Sequence, residues 1–380
     1  MFNQLGLIGC GLMGGSFALA LKKAGLVKRV IGYSKSPSTV EKARRMGVID
    51  VAAESALLAV SGSDIVLIAV PVAASEGTFK AIRHLVDPGV LFMDVGSTKR
   101  DVVDAARRVL KERLPSFVPA HPIAGREVAG IEHADAALYQ GRKLILTPLE
   151  QTDPVLVQKA TDVWSAVGCQ VLKMTPEHHD AAFAAVSHLP HLLAFAYMQA
   201  MGQQPGGQEY LSLAGPGFRD FSRIAASDPT IWRDILLSNR EEVLKQSAAF
   251  RHALDTLEAQ MRDWNGPELQ RMIQTASDAR SKWQLNPGQP ATAATGKEAM
   301  HALYEPVPTG FVSVDYNDLA ALKAATNEKT CAASRRRSWI PIRATATMRS
   351  RRPRATAESS HRRSTVAMSA ERLPPDRRTR

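Results

Sequence analysis

The first half of the chain alternates short runs rich in β-branched and aromatic residues with amphipathic stretches. Residues 66–70 form an unbroken apolar run, which is typical of a strand covered on both faces. This alternation predicts βαβ units and a parallel sheet, an α/β fold. The predicted strands are 4–8, 29–33, 65–70, 90–95 and 117–120, and residues 143–147 and 170–174, around a helix over 155–167, complete the sheet.

After Thr175 the period of the apolar residues becomes helical and remains so. Residues 230–255 carry a continuous apolar stripe, which must be buried within its own domain or against a second subunit. We therefore predict an α/β domain over 1–175 and an all-α domain over 176–284. The predicted helices are 176–201, 219–226, 229–258 and 267–283.

The positive charge of the chain is confined to its end. Residues 333–380 contain 14 Arg, no Lys and three acidic residues, so they account for the whole formal net charge of +11. Too few apolar residues accompany them to offset the entropy of folding, which predicts a disordered tail. Clustered arginines also bind nucleic-acid backbones without sequence preference, so weak nucleic-acid binding is a competing function for this tail.

Residues 285–332 shift to Pro, Gly, Ala and Thr and are predicted to be a linker. Within them, 309–325 resemble a short internal piece of acetylornithine-type aminotransferases, without the region of the cofactor lysine. No such activity follows from so short a fragment. The abrupt loss of lysine after Cys331 favours a fused or frame-shifted C-terminus.

The three cysteines include no CxxC pair, so neither a disulfide framework nor a thiolate zinc site is predicted. A reduced, cytoplasmic compartment is the expected location. No segment is predicted to span a membrane. The apolar start of the chain, 1–25, is not predicted to be a signal peptide, because glycines interrupt it and no cationic region precedes it.

A GxGxxG motif follows the first predicted strand and opens the first predicted helix. Small residues there allow a tight turn and a close approach of backbone N–H groups to a pyrophosphate, and the helix N-terminus adds partial positive charge. In this strand–turn–helix context the motif predicts a Rossmann-type, doubly wound domain that binds a dinucleotide. The predicted contacts are Gly9, Gly11, Leu12, Met13 and Gly14.

The residues at the end of the second predicted strand bear on whether the cofactor is NAD or NADP. An acidic residue at this place reads the 2′-hydroxyl of NAD, but here Ser34 and Lys35 stand instead. This favours NADP or dual use, with the alternative that Lys35 is only a solvated loop lysine. Val70 and Ser97, which follow later strands, complete the predicted cofactor contacts.

His121 follows a predicted strand and is therefore expected near the carboxyl edge of the sheet, where ligands bind in open α/β folds. Ser97 ends the preceding strand at the same edge. The alternatives are a structural role for His121 and a helix-capping role for Ser97.

Six motifs follow one another along the chain, at residues 9–16, 94–99, 121–127, 186–191, 217–223 and 227–233. In this order they resemble the prephenate/arogenate (cyclohexadienyl) dehydrogenases. The resemblance runs from the first strand to about Trp283 and implies oxidative decarboxylation of prephenate to 4-hydroxyphenylpyruvate, or of arogenate to tyrosine, with hydride passed to NAD or NADP. It also implies a homodimer formed through the helical domain.

The resemblance also implies roles for individual residues. His121 would take the hydroxyl proton, and Ser97 would orient His121 and the nicotinamide. Arg223, whose guanidinium forms a fork suited to carboxylates, would bind the substrate together with His191. The predicted substrate site is completed by Ser187, Gly217 and Asp220.

Purely structural roles are the alternatives for these residues. Arg223 would pair with Asp220 or Asp228 in a purely structural role, and His191 would be a core histidine. A metal site among 177–180, His188 and His191 is not expected, since the ligands converge poorly on one helix and the resembled family uses no metal. A different Rossmann dehydrogenase, of the 3-hydroxyacid type, is disfavoured by the sequence that follows His121.

Overall fold

The computed structural model of the protein describes residues 1–85, 88–125 and 128–283. The predicted linker with its aminotransferase-like fragment, 285–332, and the Arg-rich tail, 333–380, lie outside these described residues.

A parallel sheet of six strands forms the first half, in the order β3-β2-β1-β4-β5-β6. The order reverses beside β1, the strand that leads into the GxGxxG turn, as expected for a doubly wound fold. The predicted Rossmann-type α/β architecture is therefore confirmed. The strands are β1 (Phe2–Ile8), β2 (Val27–Tyr33), β3 (Val51–Ala52), β4 (Ile65–Ile68), β5 (Leu91–Asp94) and β6 (Phe117–Val118).

Helices cover both faces of this sheet, and side chains alternate between two cores. In β4, Ile65 and Leu67 face one core, whereas Val66 and Ile68 face the other. The first core contains the rings of Phe17, Tyr139 and Trp164, and the second those of Phe79, Phe92 and Phe117. The covering helices are α1 (Leu12–Lys23), α2 (Pro37–Arg45), α3 (Ala56–Val60), α4 (Ser75–Ile82), α5 (Arg100–Leu110) and α6 (Pro154–Ala166).

The prediction that residues 143–147 and 170–174 complete the large sheet is wrong. They form a separate three-stranded sheet with β7 (Ala120–Pro122), in which β8 (Lys143–Leu146) lies between β7 and β9 (Gln170–Lys173). The predicted strand 117–120 splits at Pro119, which has no N–H to donate to the parallel ladder. Its carbonyl instead accepts a hydrogen bond from Thr147 N–H at 2.9 Å. At Pro119 the chain thus leaves the six-stranded sheet and enters the three-stranded sheet, just before His121.

The second half is helical, as predicted, but it is divided more finely. The predicted helix 176–201 contains a π-helical turn, Ala184–His188, and the predicted helix 229–258 is broken at Asn239. The short elements β3, α3 and α9 were not predicted. The helices are α7 (Pro176–Phe183), α8 (Leu189–Gln203), α9 (Gly207–Ser212), α10 (Pro216–Ser222), α11 (Pro229–Ser238), α12 (Arg240–Arg262) and α13 (Gly266–Lys282).

The later helices bury little of their apolar surface within one protomer. Within the described residues, Ala194 is the buried residue of α8 and Val243 that of α12. One stretch, Pro176–Gln203, is long and apolar enough to cross a membrane by length and composition alone, a test that core helices of other proteins also pass. Large apolar side chains that remain exposed include Leu237, Leu244, Met261 and Ile273.

We expect Gly14→Ala to lower the free energy of unfolding by about 1–3 kcal/mol, the usual cost of overpacking. A Cβ at Gly14 would lie 2.2 Å from the carbonyl oxygen of Gly9, a backbone atom that no side-chain rotation can move. Helix propensity alone favours alanine there by about 1 kcal/mol, so a measured loss reports the contact. Thermal unfolding by calorimetry measures the change in the free energy of unfolding.

Gly11→Ala is the matched control, because a Cβ at Gly11 would meet no atom within 4 Å. Its cost should be that of a poorer N-cap, at most about 1 kcal/mol. Equal melting temperatures for the two variants would contradict the packing of the turn described above.

Candidate active site

The GxGxxG turn is tightly packed at Gly9, which faces the end of β4, and open at Gly11. Gly9 has φ +98°, and a Cβ there would lie 2.2 Å from the carbonyl oxygen of Ala69. Gly11 is the N-cap of α1 without a side-chain cap, and the space around its missing Cβ is empty. Leu12 and Met13 form the first turn of the helix. The uncapped N–H groups and the open space at Gly11 fit a pyrophosphate.

Other predicted cofactor contacts surround this turn. The Ser34 hydroxyl accepts a hydrogen bond from Cys10 N–H at 2.7 Å, which ties the end of β2 to the turn. Lys35 is exposed, and Val70 lies half-buried just beyond β4. Ser97 is half-buried between β5 and α5. The structure therefore places these residues along the carboxyl edge of the sheet.

His121 lies at the same edge, in β7, and is 9% exposed. Its Nδ1 is 2.8 Å from Nε2 of His179, and Nδ1 of His179 is 2.7 Å from Oδ1 of Asp180. The ring of His179 stacks on Phe183, with centroids 4.5 Å apart. The sequence predicted orientation by Ser97, but the described hydrogen-bond partner of His121 Nδ1 is His179.

The carboxylate of Asp180 determines which ring nitrogens carry protons. A carboxylate only accepts, so His179 donates to it from Nδ1 and keeps an unprotonated Nε2. This nitrogen accepts a hydrogen bond from Nδ1–H of His121. The Nε2 of neutral His121 is therefore left with its lone pair, which is the form that a general base requires.

Several contacts keep Asp180 ionised. Burial alone would raise the pKa of this carboxyl, but hydrogen bonds from His179 and from the backbone N–H groups of Arg100 and Lys99 bring the pKa below its usual value. The two backbone bonds, 2.9 Å from Lys99 and 3.0 Å from Arg100, also cap α5. The cap of this helix is thus Asp180, rather than the predicted alternative Ser97.

The surroundings keep His121 neutral. Burial is the largest cause that lowers the pKa of His121 well below its usual value, followed by repulsion from His179 and His188 when they are protonated and from Lys99. Burial also lowers the pKa of His179, and its hydrogen bond to Asp180 offsets only part of that effect. At neutral pH both rings are uncharged.

The π-helical turn brings a second pair of histidines next to the first. His191 Nδ1 donates to the carbonyl of Ser187 at 2.9 Å, and its ring stacks on Trp232 with centroids 3.5 Å apart. His188 is buried, and burial, with the charges of His179 and His191, lowers its pKa to about 4 despite Asp180.

Asn239 joins the break between α11 and α12 to this cluster. Its Nδ2 is a donor to the carbonyl of Asp180 at 2.8 Å and lies 3.1 Å from Nδ1 of His188. These bonds hold the junction of α11 and α12, where the predicted long helix is interrupted, against α7 and His188.

The remaining predicted substrate residues lie on or next to α10. Asp220 pairs with Nε of Arg219 at 3.3 Å, and Gly217 is exposed. Arg223 is half-buried at the start of the 3-10 turn Arg223–Ala226. Ring contacts from Tyr197 on α8 to Phe218 and Phe221 hold α10 in place. The structure thus brings Ser187 and His191 into the buried cluster, whereas Gly217 stands at the surface.

Sequence reasoning missed the roles of His179, Asp180, Trp232 and Asn239. Residues 177–180 were considered only as metal ligands, and no local pattern marks the contacts of His179 and Asp180 with His121 and with the start of α5. Within the described residues, no group of three or more His, Cys, Asp or Glu is arranged to hold a metal ion.

Comparison with known proteins identifies both halves of the chain. Residues 17–173 match the family model described as prephenate dehydrogenase, nucleotide-binding domain, and residues 175–275 match prephenate dehydrogenase, dimerization domain. The prephenate dehydrogenase of Bacillus subtilis is 34% identical over 313 residues, covering 81% of this chain and 82% of that protein. The cyclohexadienyl dehydrogenase of Zymomonas mobilis is 32% identical over 287 residues, covering 74% and 96%.

A solved structure agrees with these relatives. The prephenate dehydrogenase from A. aeolicus, in complex with hydroxyphenyl propionate and NAD+, has a TM-score of 0.70 and 35% identity over 74% of this chain and 98% of that one. Because both of its halves match in order, and the relatives are matched over most of their own length, the chain belongs to the prephenate dehydrogenase family.

Proposed function

We propose that this chain oxidatively decarboxylates prephenate to 4-hydroxyphenylpyruvate in tyrosine biosynthesis, as an oxidoreductase with a nicotinamide cofactor. The observation that carries the proposal is the Asp180–His179–His121 relay, which leaves a lone pair on Nε2 of a buried, neutral histidine. Family membership and the activity in the names of the relatives support the same reaction.

The reaction needs a base and little else from side chains. When bound, the nicotinamide supplies the acceptor for the hydride that leaves the hydroxyl-bearing ring carbon. His121 takes the hydroxyl proton on Nε2 as the carbonyl develops. The positive charge that then forms on its ring is shared through Nδ1–H with His179 and balanced by Asp180. Loss of CO2 then makes the ring aromatic and leaves a phenolate, which takes the proton back from His121, so the remaining task of the chain is to position the substrate.

Arogenate is the second candidate substrate. It shares the ring hydroxyl and the carboxylates on which the relay and Arg223 would act, and the matched protein of Z. mobilis is named for the cyclohexadienyl ring that both compounds contain. Turnover assays with each compound separately decide between them.

NADP or dual use is favoured for the cofactor. Residues 34–36 are Ser, Lys and Ser, so no carboxylate of these residues would repel a 2′-phosphate, and exposed Lys35 would attract one. The kcat/KM values with NAD and with NADP test this preference, and a strong preference for NAD would contradict it. A cytoplasmic location fits the buried free thiols of Cys10 and Cys169, and cell fractionation tests it.

We expect His121→Asn to lower kcat by roughly 10²–10⁴-fold, the usual contribution of a general base, while the cofactor dissociation constant stays near that of the parent. Steady-state kinetics and cofactor titration measure the two effects. The matched control is His178→Asn, which alters an exposed histidine next to His179. A kcat for His121→Asn within about threefold of the parent would remove His121 from the role of base.

Arg223→Ala should raise KM by roughly 10–100-fold with a smaller fall in kcat, because a charged hydrogen bond contributes about 1.5–3 kcal/mol and the carboxylate charge is present throughout the reaction. Arg223→Lys should restore only part of the affinity, since an ammonium lacks the fork.

The control for this variant is Arg219→Ala, which removes the neighbouring arginine that pairs with Asp220. It should leave KM close to that of the parent. A lower melting temperature with an unchanged KM in Arg223→Ala would instead assign Arg223 to a structural ion pair.

A homodimer through the helical half explains the apolar surface of α8, α11, α12 and α13. We expect the full chain to have the mass of a dimer by light scattering at micromolar concentration, with an interface of more than about 2,000 Å². Leu244→Lys, on α12, should weaken the dimer, because Leu244 is 60% exposed in the protomer. Leu58→Lys, on α3 and 49% exposed, is the control. A parent chain with the mass of a monomer would rule out the dimer.

A further inference from the structure

One edge of β7 carries an unusual set of partners. β7 is the outer strand of the small sheet and pairs with β8 on one side. Its residue Ala120 donates its N–H to Oδ1 of Asp94 at 3.0 Å, and its carbonyl accepts from Nζ of Lys99 at 2.7 Å. Side chains from the end of β5 thus take the place of a neighbouring strand.

The two side chains also bind each other. Nζ of Lys99 donates to Oδ2 of Asp94, and the same oxygen accepts the N–H of Gly96 at 2.8 Å. Lys99 is 0% exposed and Asp94 is 2% exposed. Removing two charges from water is so costly that apolar residues of the same volume commonly serve stability as well or better. A fully buried ion pair at this place therefore needs a reason beyond stability.

The position of Ala120 supplies that reason, because it immediately precedes His121. We infer that the buried Asp94–Lys99 pair is a positioning device for the base: it holds the Ala120 peptide from both sides and thereby aims the ring of His121 at the reacting hydroxyl. This inference rests on the proposed function, in which His121 is the base.

The same pair adds a fixed positive charge beside the ring. The ionisable groups around His121 are His179 and Asp180 from α7, His188 from the π-helical turn, and Asp94 with Lys99 from the segment that leads to α5. The charge on Lys99 opposes protonation of His121, in the same direction as burial. Loss of Lys99 should therefore both loosen the ring and raise its pKa.

The experiment compares three variants of the full chain. Lys99→Met removes the cation, and Asp94→Asn/Lys99→Met removes both charges, so that no buried carboxylate is left unpaired. The matched control is Lys22→Met. Lys22 also pairs with an aspartate, Asp50, at 2.7 Å and donates to a backbone carbonyl, that of Gly47, but at the amino edge of the sheet, opposite the edge at which His121 lies. Calorimetry and circular dichroism establish that each variant is folded.

Two readouts separate positioning from mere stability. The first is the titration of the His121 imidazole by NMR, assigned with His121→Asn, which needs no substrate. The second is the pH profile of kcat/KM. In both Lys99 variants kcat should fall by roughly 10–100-fold, as for a displaced catalytic group, with KM within about threefold of the parent. In Lys99→Met the NMR pKa of His121 and the acid limb of kcat/KM should move together to higher pH.

Three results would overturn the inference. One is a folded Lys99→Met whose kcat and His121 titration equal those of Lys22→Met. Another is a rise in KM alone, which would make Lys99 a substrate contact. The third is loss of fold in the double variant as well, which would assign the pair to stability. Failure of the proposed function is separate: the parent would turn over neither prephenate nor arogenate, whereas the NMR titration would still report the effect of Lys99.

Discussion

The carboxylate of Asp180 is the group on which the arrangement of the site depends. Its oxygens accept the backbone N–H groups that open α5 in the sheet half, and they accept the proton of His179 in the helical half. Its own carbonyl accepts from Asn239. One buried anion therefore fixes the sheet half against the helical half and, through the protons it orders, selects the tautomer of His121. Charge-assisted hydrogen bonds of this kind are stronger than neutral ones, which suits a residue with two roles.

The sequence predicts those parts of the protein that depend on local patterns. Alternating apolar runs indicate the parallel sheet, and the glycines of residues 9–14 indicate where a pyrophosphate fits, because each of these signals lies within a few residues. Asp180 caps a helix that begins 80 residues earlier in the chain, and no local pattern marks such a cap. The position of His121 at the sheet edge was predicted because a strand pattern directly precedes it. Its partner His179 was not predicted, because it lies 58 residues further along the chain.

Two further differences have a similar origin. Pro119 ends the parallel ladder, yet a strand pattern continues across it to Ala120, so the transfer to a second sheet is invisible in the apolar period. The apolar stripe of 230–255 likewise continues across Asn239, although the helix does not. At Pro119 the missing N–H ends the ladder and the long-range bond from Thr147 directs the carbonyl to the second sheet, whereas long-range bonds from Asn239 to Asp180 and His188 hold the junction of α11 and α12. The hydrophobic pattern records burial, whereas these bonds decide the path of the backbone.

The electrostatics of His121 balance two opposing needs. A base must be unprotonated before the reaction, which burial and the charge of Lys99 ensure, but it must also hold a proton once the hydroxyl gives one up. The protonated ring is stabilised at Nδ1, because its N–H donates to His179, which in turn donates to the Asp180 anion. The fixed charge of Lys99 opposes the protonated ring, whereas the hydrogen bond to His179 strengthens as charge develops on the ring. The site thus favours the neutral base at rest and the charged ring in the transition state, which is the differential stabilisation that catalysis requires.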